Sequence, residues 1–128
     1  MAIKILAIGK VPTLAMEFIS ELGVPDAVVT FVDRAPQAIK NIKRLSYDVI
    51  LIGDRVKDGD TFDVGLVLDG TKRNRKTPVV CLGHHKGKAA RLIKLLEPCG
   101  IRAEPNAFDN AVLKIKSYLQ KKEERSLA

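Results

Sequence analysis

Tyr47-Asp48-Val49-Ile50-Leu51-Ile52-Gly53-Asp54 is the stretch on which the fold of this chain turns. Four aliphatic residues stand in a row, three of them β-branched, and Gly-Asp closes the run. A short unbroken aliphatic run bounded by turn residues suits a strand covered on both faces, as in a parallel sheet. Four comparable runs lie on either side of it. With the quoted one they fall at about residues 3–8, 27–32, 48–53, 78–83 and 100–104. The first ends in Gly9-Lys10, the third in Gly53-Asp54 and the fourth in Gly83-His84. In an open parallel sheet, ligands and chemistry gather at the carboxyl ends of the strands, so these pairs bear most directly on function.

The intervening segments carry helical spacing. Leu14, Phe18 and Leu22 recur every fourth residue, and Gly23 follows where a C-terminal cap belongs. Asp33 is expected to cap a helix with Pro36 in its first turn and Ile39, Ile42 and Leu45 as its buried stripe. Leu92, Ile93 and Leu96 make the stripe of a helix ending before Pro98. Asn106 and Asp109 resemble a capping box, opening a helix with Phe108, Val112, Ile115 and Leu119 on one face. The weakest helix follows Gly59, because Gly65 and Gly70 each cost about 1 kcal/mol against alanine.

The order βαβαβαβαβ, short loops and right-handed crossovers imply a doubly wound, five-stranded parallel sheet with helices on both faces. Strand order 2-1-3-4-5, the flavodoxin-like arrangement, fits the length of 128 residues. Hydrophobic content of 46% and charged content of 29% describe a globular chain rather than a disordered one. No apolar run approaches the ~20 residues of a membrane span, and the N-terminus lacks the pattern of a signal peptide. Two cysteines, Cys81 in a strand and Cys99 in a turn, make no disulfide framework, and a reduced, cytoplasmic setting is expected.

With this order and spacing the chain resembles the receiver domain of two-component response regulators, over about residues 2–120. Three segments carry the likeness: Tyr47 to Ile52 as the third strand, Thr77-Pro78-Val79-Val80-Cys81-Leu82-Gly83 as the fourth, and Glu104-Pro105 at the end of the fifth. The resemblance implies a three-layer receiver-like domain, expected over residues 1–122, and the charged run after it makes 123–128 a flexible C-terminal tail. It also implies where chemistry would sit. Receivers hold Mg²⁺ with two acidic residues after the first strand, where this chain has Gly9 and Lys10. The phosphate-accepting Asp aligns with Gly53, the Thr or Ser after the fourth strand with Gly83, and the Lys before Pro with Glu104. Mg²⁺ is held by carboxylates and phosphate oxygens, and transfer of a phosphoryl group needs that cation to neutralise developing charge. The expectation is therefore a degenerate receiver that is not an enzyme, needs no metal or cofactor, and works independently of phosphorylation. Asp54, one residue past the aligned acceptor, is expected to face away from the pocket unless the third strand carries a bulge.

The net charge of +7 leaves partners to consider. By resemblance, the face built from the fourth helix, fifth strand and fifth helix docks a protein partner or a second copy. Lys88, Arg91, Arg102, Lys114 and Tyr118 fall on it, which suits an acidic partner. The alternative is a nucleic-acid- or nucleotide-phosphate-binding protein using the strand-end rim. Gly83-His84-His85-Lys86-Gly87-Lys88 is one residue short of P-loop spacing, and Ala89 replaces the hydroxyl that would bind Mg²⁺. The loop still opens a helix whose amides favour an anion, and Lys10, Arg55 and Lys57 share that edge. Lys72, Arg73, Arg75 and Lys76 form a second basic run at the opposite edge, expected as a solvated loop or a contact for an acidic partner, and two separated patches argue against one continuous nucleic-acid groove. Adjacent His84 and His85 diverge rather than chelate.

Overall fold

The computed structural model describes residues 2–10, 12–83, 86–103 and 108–127, the side chains of residues 86–88, 102, 126 and 127 excepted. The elements are β1 (Ile3–Ile8), α1 (Thr13–Leu22), β2 (Ala27–Val32), α2 (Ala35–Arg44), β3 (Val49–Ile52) and α3 (Thr61–Gly70). A single 3-10 turn (Lys72–Asn74) then leads into β4 (Val79–Leu82), α4 (Lys86–Leu95), β5 (Gly100–Ala103) and α5 (Asp109–Leu127). All pairings are parallel, and the order is β2-β1-β3-β4-β5, as the alternation of runs and helices predicts.

Every residue of β3 and β4 is buried, because each has a neighbouring strand on both sides and helices over both faces. Leu6, Ile8, Ile50, Ile52 and Cys81 face one apolar layer with α2, α3 and α4. Ile5, Ala7, Val49, Leu51 and Val80 face the other with α1 and α5, where Phe18 meets Phe108 edge-to-face at 5.4 Å. β2 departs from the doubly covered pattern. It is an edge strand, and Val28 and Phe31 stay exposed.

The helical stripes largely fall where the spacing puts them. Phe18 and Leu22 are buried under α1, which Gly23 closes, and Phe108, Val112, Ile115 and Leu119 under α5. α2 buries Ala35, Ala38 and Ile42, while Leu45 is 51% exposed because the helix has already ended at Arg44. Asp33 does not cap α2. Arg34 occupies the N-cap position without capping the helix by its side chain, and the Asp33 carboxylate instead pairs with Lys57 at 3.1 Å. The capping box at Asn106 falls outside the described residues.

α3 forms despite its two glycines, for two reasons. Asp60 caps it, accepting from the Phe62 amide at 2.8 Å. Gly65 permits close approach to α4, since a Cβ there would lie 2.5 Å from Leu92 Cδ1 and 3.2 Å from Leu95 Cδ2. The segment Lys121 to Leu127 continues α5 as helix. It holds good helix formers, with no proline or glycine, and Lys122 reaches back to Asp48. Among the described residues no helix is long and apolar enough to cross a membrane.

Candidate functional site

The carboxyl ends of β1 and β3 converge, and backbone fills the place where they meet. Gly53 N–H donates to Ile8 O at 2.7 Å, Gly9 N–H to Val32 O at 2.9 Å, and Lys10 N–H to Arg55 O at 3.0 Å. Gly9 has φ +148°, a conformation that side-chain-bearing residues rarely adopt, and a Cβ there would touch Gly53 Cα at 3.4 Å. The loop after β3 is also tied to the end of β2. Lys57 N–H donates to Asp33 O and Ala35 N–H to Lys57 O, both at 2.8 Å. Two exposed ion pairs flank this bridge, Asp33–Lys57 and Arg34–Asp58. The neighbouring Lys57 ammonium lowers the Asp33 carboxyl below its ordinary value.

Beside this closure lies a cavity of about 160 Å³, lined by Gly9, Lys10, Gly53, Asp54 and Arg55 on one side and by Pro12, Leu14 and Phe31 on the other. The structure corrects the reading of Asp54. β3 has no bulge, and its register with β1 runs unbroken from Ile5–Val49 to Ile8–Ile52. Asp54 nonetheless lines the cavity, because the chain leaves the strand at Ile52 and strand alternation no longer governs where the next residues lie. Residues 12, 14 and 31 are contributions that the strand-end motifs did not mark. A Pro opening a helix and an aromatic residue near the end of an edge strand carry no distinctive signal in one sequence.

A receiver's Mg²⁺ does not suit this donor set. One carboxylate, Asp54, lines the cavity with Lys10 and Arg55, whereas a divalent ion of this kind wants carboxylates and phosphate oxygens without adjacent cations. Among the described residues no cluster of three or more His, Cys, Asp or Glu is placed to hold a metal ion.

The remaining sequence candidates scatter. Gly83 donates to Ala103 O at 3.3 Å, at the ends of β4 and β5. His84, His85 and Glu104 lie outside the described residues. Lys86 and Lys88 start α4 and Arg102 is in β5, with side chains outside the description. Arg91 does not join the face of α4, β5 and α5: its guanidinium sits 5.1 Å from the Phe62 ring centroid, over the start of α3. Lys114 and Tyr118 do share a face of α5, four residues apart.

The opposite edge of the sheet is organised around a residue that the sequence reading passed over. Asn74, the middle of Lys72-Arg73-Asn74-Arg75-Lys76, is 1% exposed. Its amide nitrogen donates to Ile42 O and Leu45 O, each at 2.7 Å, and its oxygen accepts from Tyr47 N–H at 2.9 Å. Thr77 adds a hydroxyl bond to Tyr47 O at 3.1 Å. The expected solvated loop is therefore pinned at its centre. A lone Asn inside a basic run gives no periodic signal of burial, and only its capacity to donate and accept at once hinted at the role. Asp48, 8% exposed, accepts from Lys4 N–H at 2.8 Å and pairs with Lys122. Tyr47 is also buried, and burial raises its phenol pKa. Asn41 offsets part of that rise without reaching hydrogen-bond geometry.

Comparison with known proteins agrees with the fold. No protein-family model and no curated protein matches the chain. Solved structures do. The receiver domain of the sensor histidine kinase PA1611 from Pseudomonas aeruginosa is similar at 18% identity and a TM-score of 0.67, over 91% of this chain and 99% of that one. That domain was solved with magnesium coordinated in its active-site cleft. A response regulator receiver protein from Sinorhizobium medicae matches at 23% identity and a TM-score of 0.68, over 92% and 94%. The chemotaxis response regulator CheY4 of Vibrio cholerae matches at 13% and 0.68, over 90% and 99%. The chain thus has the fold of response-regulator receiver domains.

Proposed function

We propose that this chain, built on the receiver fold, is a non-enzymatic signalling or regulatory module that acts through protein–protein contact and independently of phosphorylation. The observation that carries this reading is the closed junction of β1 and β3. The positions that would supply acids are Gly9, Lys10 and Gly53, and a Cβ added to Gly9 would come within 3.4 Å of Gly53 Cα. Restoring the acids would need more than new side chains, because the Gly9 backbone itself has φ +148°. Lys10 and Arg55 beside Asp54 turn a metal-seeking pocket into a mixed, partly basic one. At ~4 Å near a protein surface one like-charge pair costs roughly 4 kcal/mol, enough to remove useful Mg²⁺ affinity.

What remains for signalling is surface. On α5, Lys114 and Tyr118 share one face, suited to an acidic protein partner or a second copy. The test is incubation with acetyl phosphate and Mg²⁺ followed by intact mass measurement. The unmodified mass is expected throughout. A stable phosphoryl adduct that disappears in Asp54→Asn would overturn the proposal.

A further inference from the structure

The amino edge of the sheet holds a cleft of about 430 Å³, far from the closed junction. Lys72, Arg73, Arg75 and Lys76 line it from the Asn74 loop, and Lys122 from α5. Both tyrosines of the chain, Tyr47 and Tyr118, line it too, with Ser46 and Thr77. Lys122 is held by Asp48. The four loop cations are exposed, and among the described residues none pairs with a carboxylate. Asp69 and Glu97 lie along the adjoining groove past Arg75 and Lys76, not in the cleft. Lys43 and Arg44 end α2 just before Ser46 and add to the positive field.

Two features separate this cleft from an ordinary solvated basic loop. The first is rigidity. Asn74 is buried with three backbone partners, so the cations on either side of it are presented by a fixed loop and little ordering is left to binding. The second is composition. Cations beside a half-buried Tyr118 combine charge for a phosphate with an aromatic face for a base. An acidic peptide would use the charge and leave the ring idle.

We propose that this cleft binds nucleotide phosphate, carried either by a single-stranded nucleic acid or by a free nucleotide. The loop cations neutralise phosphates, and Tyr118 offers its ring to a base. This goes beyond the signalling role above. The two readings share Tyr118, but the cations of the Asn74 loop serve this cleft alone and the phosphorylation test addresses the other edge, so either can fail without the other.

Fluorescence anisotropy of the full chain with a labelled single-stranded RNA oligonucleotide tests it, with ATP and polyglutamate as competitors. The expected result is binding that weakens with salt, at a log–log slope of about −3 for about four phosphates neutralised. The surface double variant Arg73→Glu/Lys76→Glu should abolish binding, with circular dichroism confirming that it folds. Lys10→Glu/Arg55→Glu, at the other edge, should leave affinity unchanged within about twofold. Tyr118→Leu should weaken it about tenfold while keeping the salt slope, which separates stacking from charge. Competition by ATP at concentrations comparable to the oligonucleotide identifies the free nucleotide as the ligand, and weak competition identifies the strand. Both support the site. No binding, tighter binding of polyglutamate, or equal loss in the Lys10/Arg55 variant would overturn it.

Discussion

The two edges of the sheet have gone opposite ways. At the carboxyl edge, where a receiver keeps its chemistry, this chain has Gly9 and Gly53, and main-chain hydrogen bonds close the junction. At the amino edge, ordinarily a place for connections, one buried amide holds a loop that displays four cations. Both edges are tightly hydrogen-bonded, but for different ends. The carboxyl edge is bound by main chain to main chain, with Lys10, Asp54 and Arg55 lining the cavity beside it. The amino edge is bound by a side chain to main chain, which frees its neighbours to project. The same fold thus carries a main-chain closure at one end and a rigid basic surface at the other.

The largest effect is expected from Asn74→Ala. It strands the Tyr47 amide and the Ile42 carbonyl in a buried setting, and each unpaired buried group costs about 1–3 kcal/mol. Urea unfolding should show a loss of about 3 kcal/mol. A loss under about 1 kcal/mol would mean that the loop is not anchored as described and would break the contrast.

Gly9→Asp, which places one acid back at the carboxyl edge, should destabilise by about 1–3 kcal/mol through backbone strain. It should still show no Mg²⁺-dependent quench or shift in its spectrum. Tighter Mg²⁺ binding with unchanged stability would show that the edge had lost only side chains.

The cysteines sharpen the contrast between core and edge. Burial pushes the Cys81 thiol up to about 12, while Cys99, partly exposed at the amino edge, is raised by a smaller burial. In native protein at mildly alkaline pH, a disulfide reagent should label Cys99 and spare Cys81 until the chain unfolds. The sign for stability follows. The unfolded thiol ionises near its ordinary value of 9.0 and the folded one near 12, so stability falls as pH rises across that window and is unaffected below it. Cys81→Ala should remove that part of the alkaline loss.

The smallest effect is expected at the exposed Asp33–Lys57 pair. Asp33 has a depressed pKa in the folded state, so its contribution is present above the ordinary carboxyl range and disappears as pH falls through the folded value. Asp33→Asn should lower the thermal midpoint slightly in low salt and not in high salt.

The layering was readable because parallel strands and amphipathic helices write their periods directly into the chain. Val49 to Ile52 and Val79 to Leu82 are aliphatic throughout because both faces are covered. Leu45 and Asp33 misled at the ends of α2, where a one-residue difference in the helix boundary turns a core position outward and a cap into an ion pair. Asp54 misled for the same reason at the end of β3. Element ends are where local periodicity stops constraining direction and neighbouring loops take over.

By itself the sequence determined the strand order, most helix faces and the residues Gly9, Lys10 and Gly53 at the positions that the resemblance aligns with a receiver's acids. These depend on residue type and spacing along one segment at a time. Only the tertiary structure decided that the Gly53 amide bonds to Ile8 O beside Gly9, that Arg91 leans on Phe62, and that Asn74 reaches residues 29 and 32 positions away. Such contacts join segments distant in the chain. Their energies come from burial and hydrogen bonding after the layers have packed, so no local pattern records them.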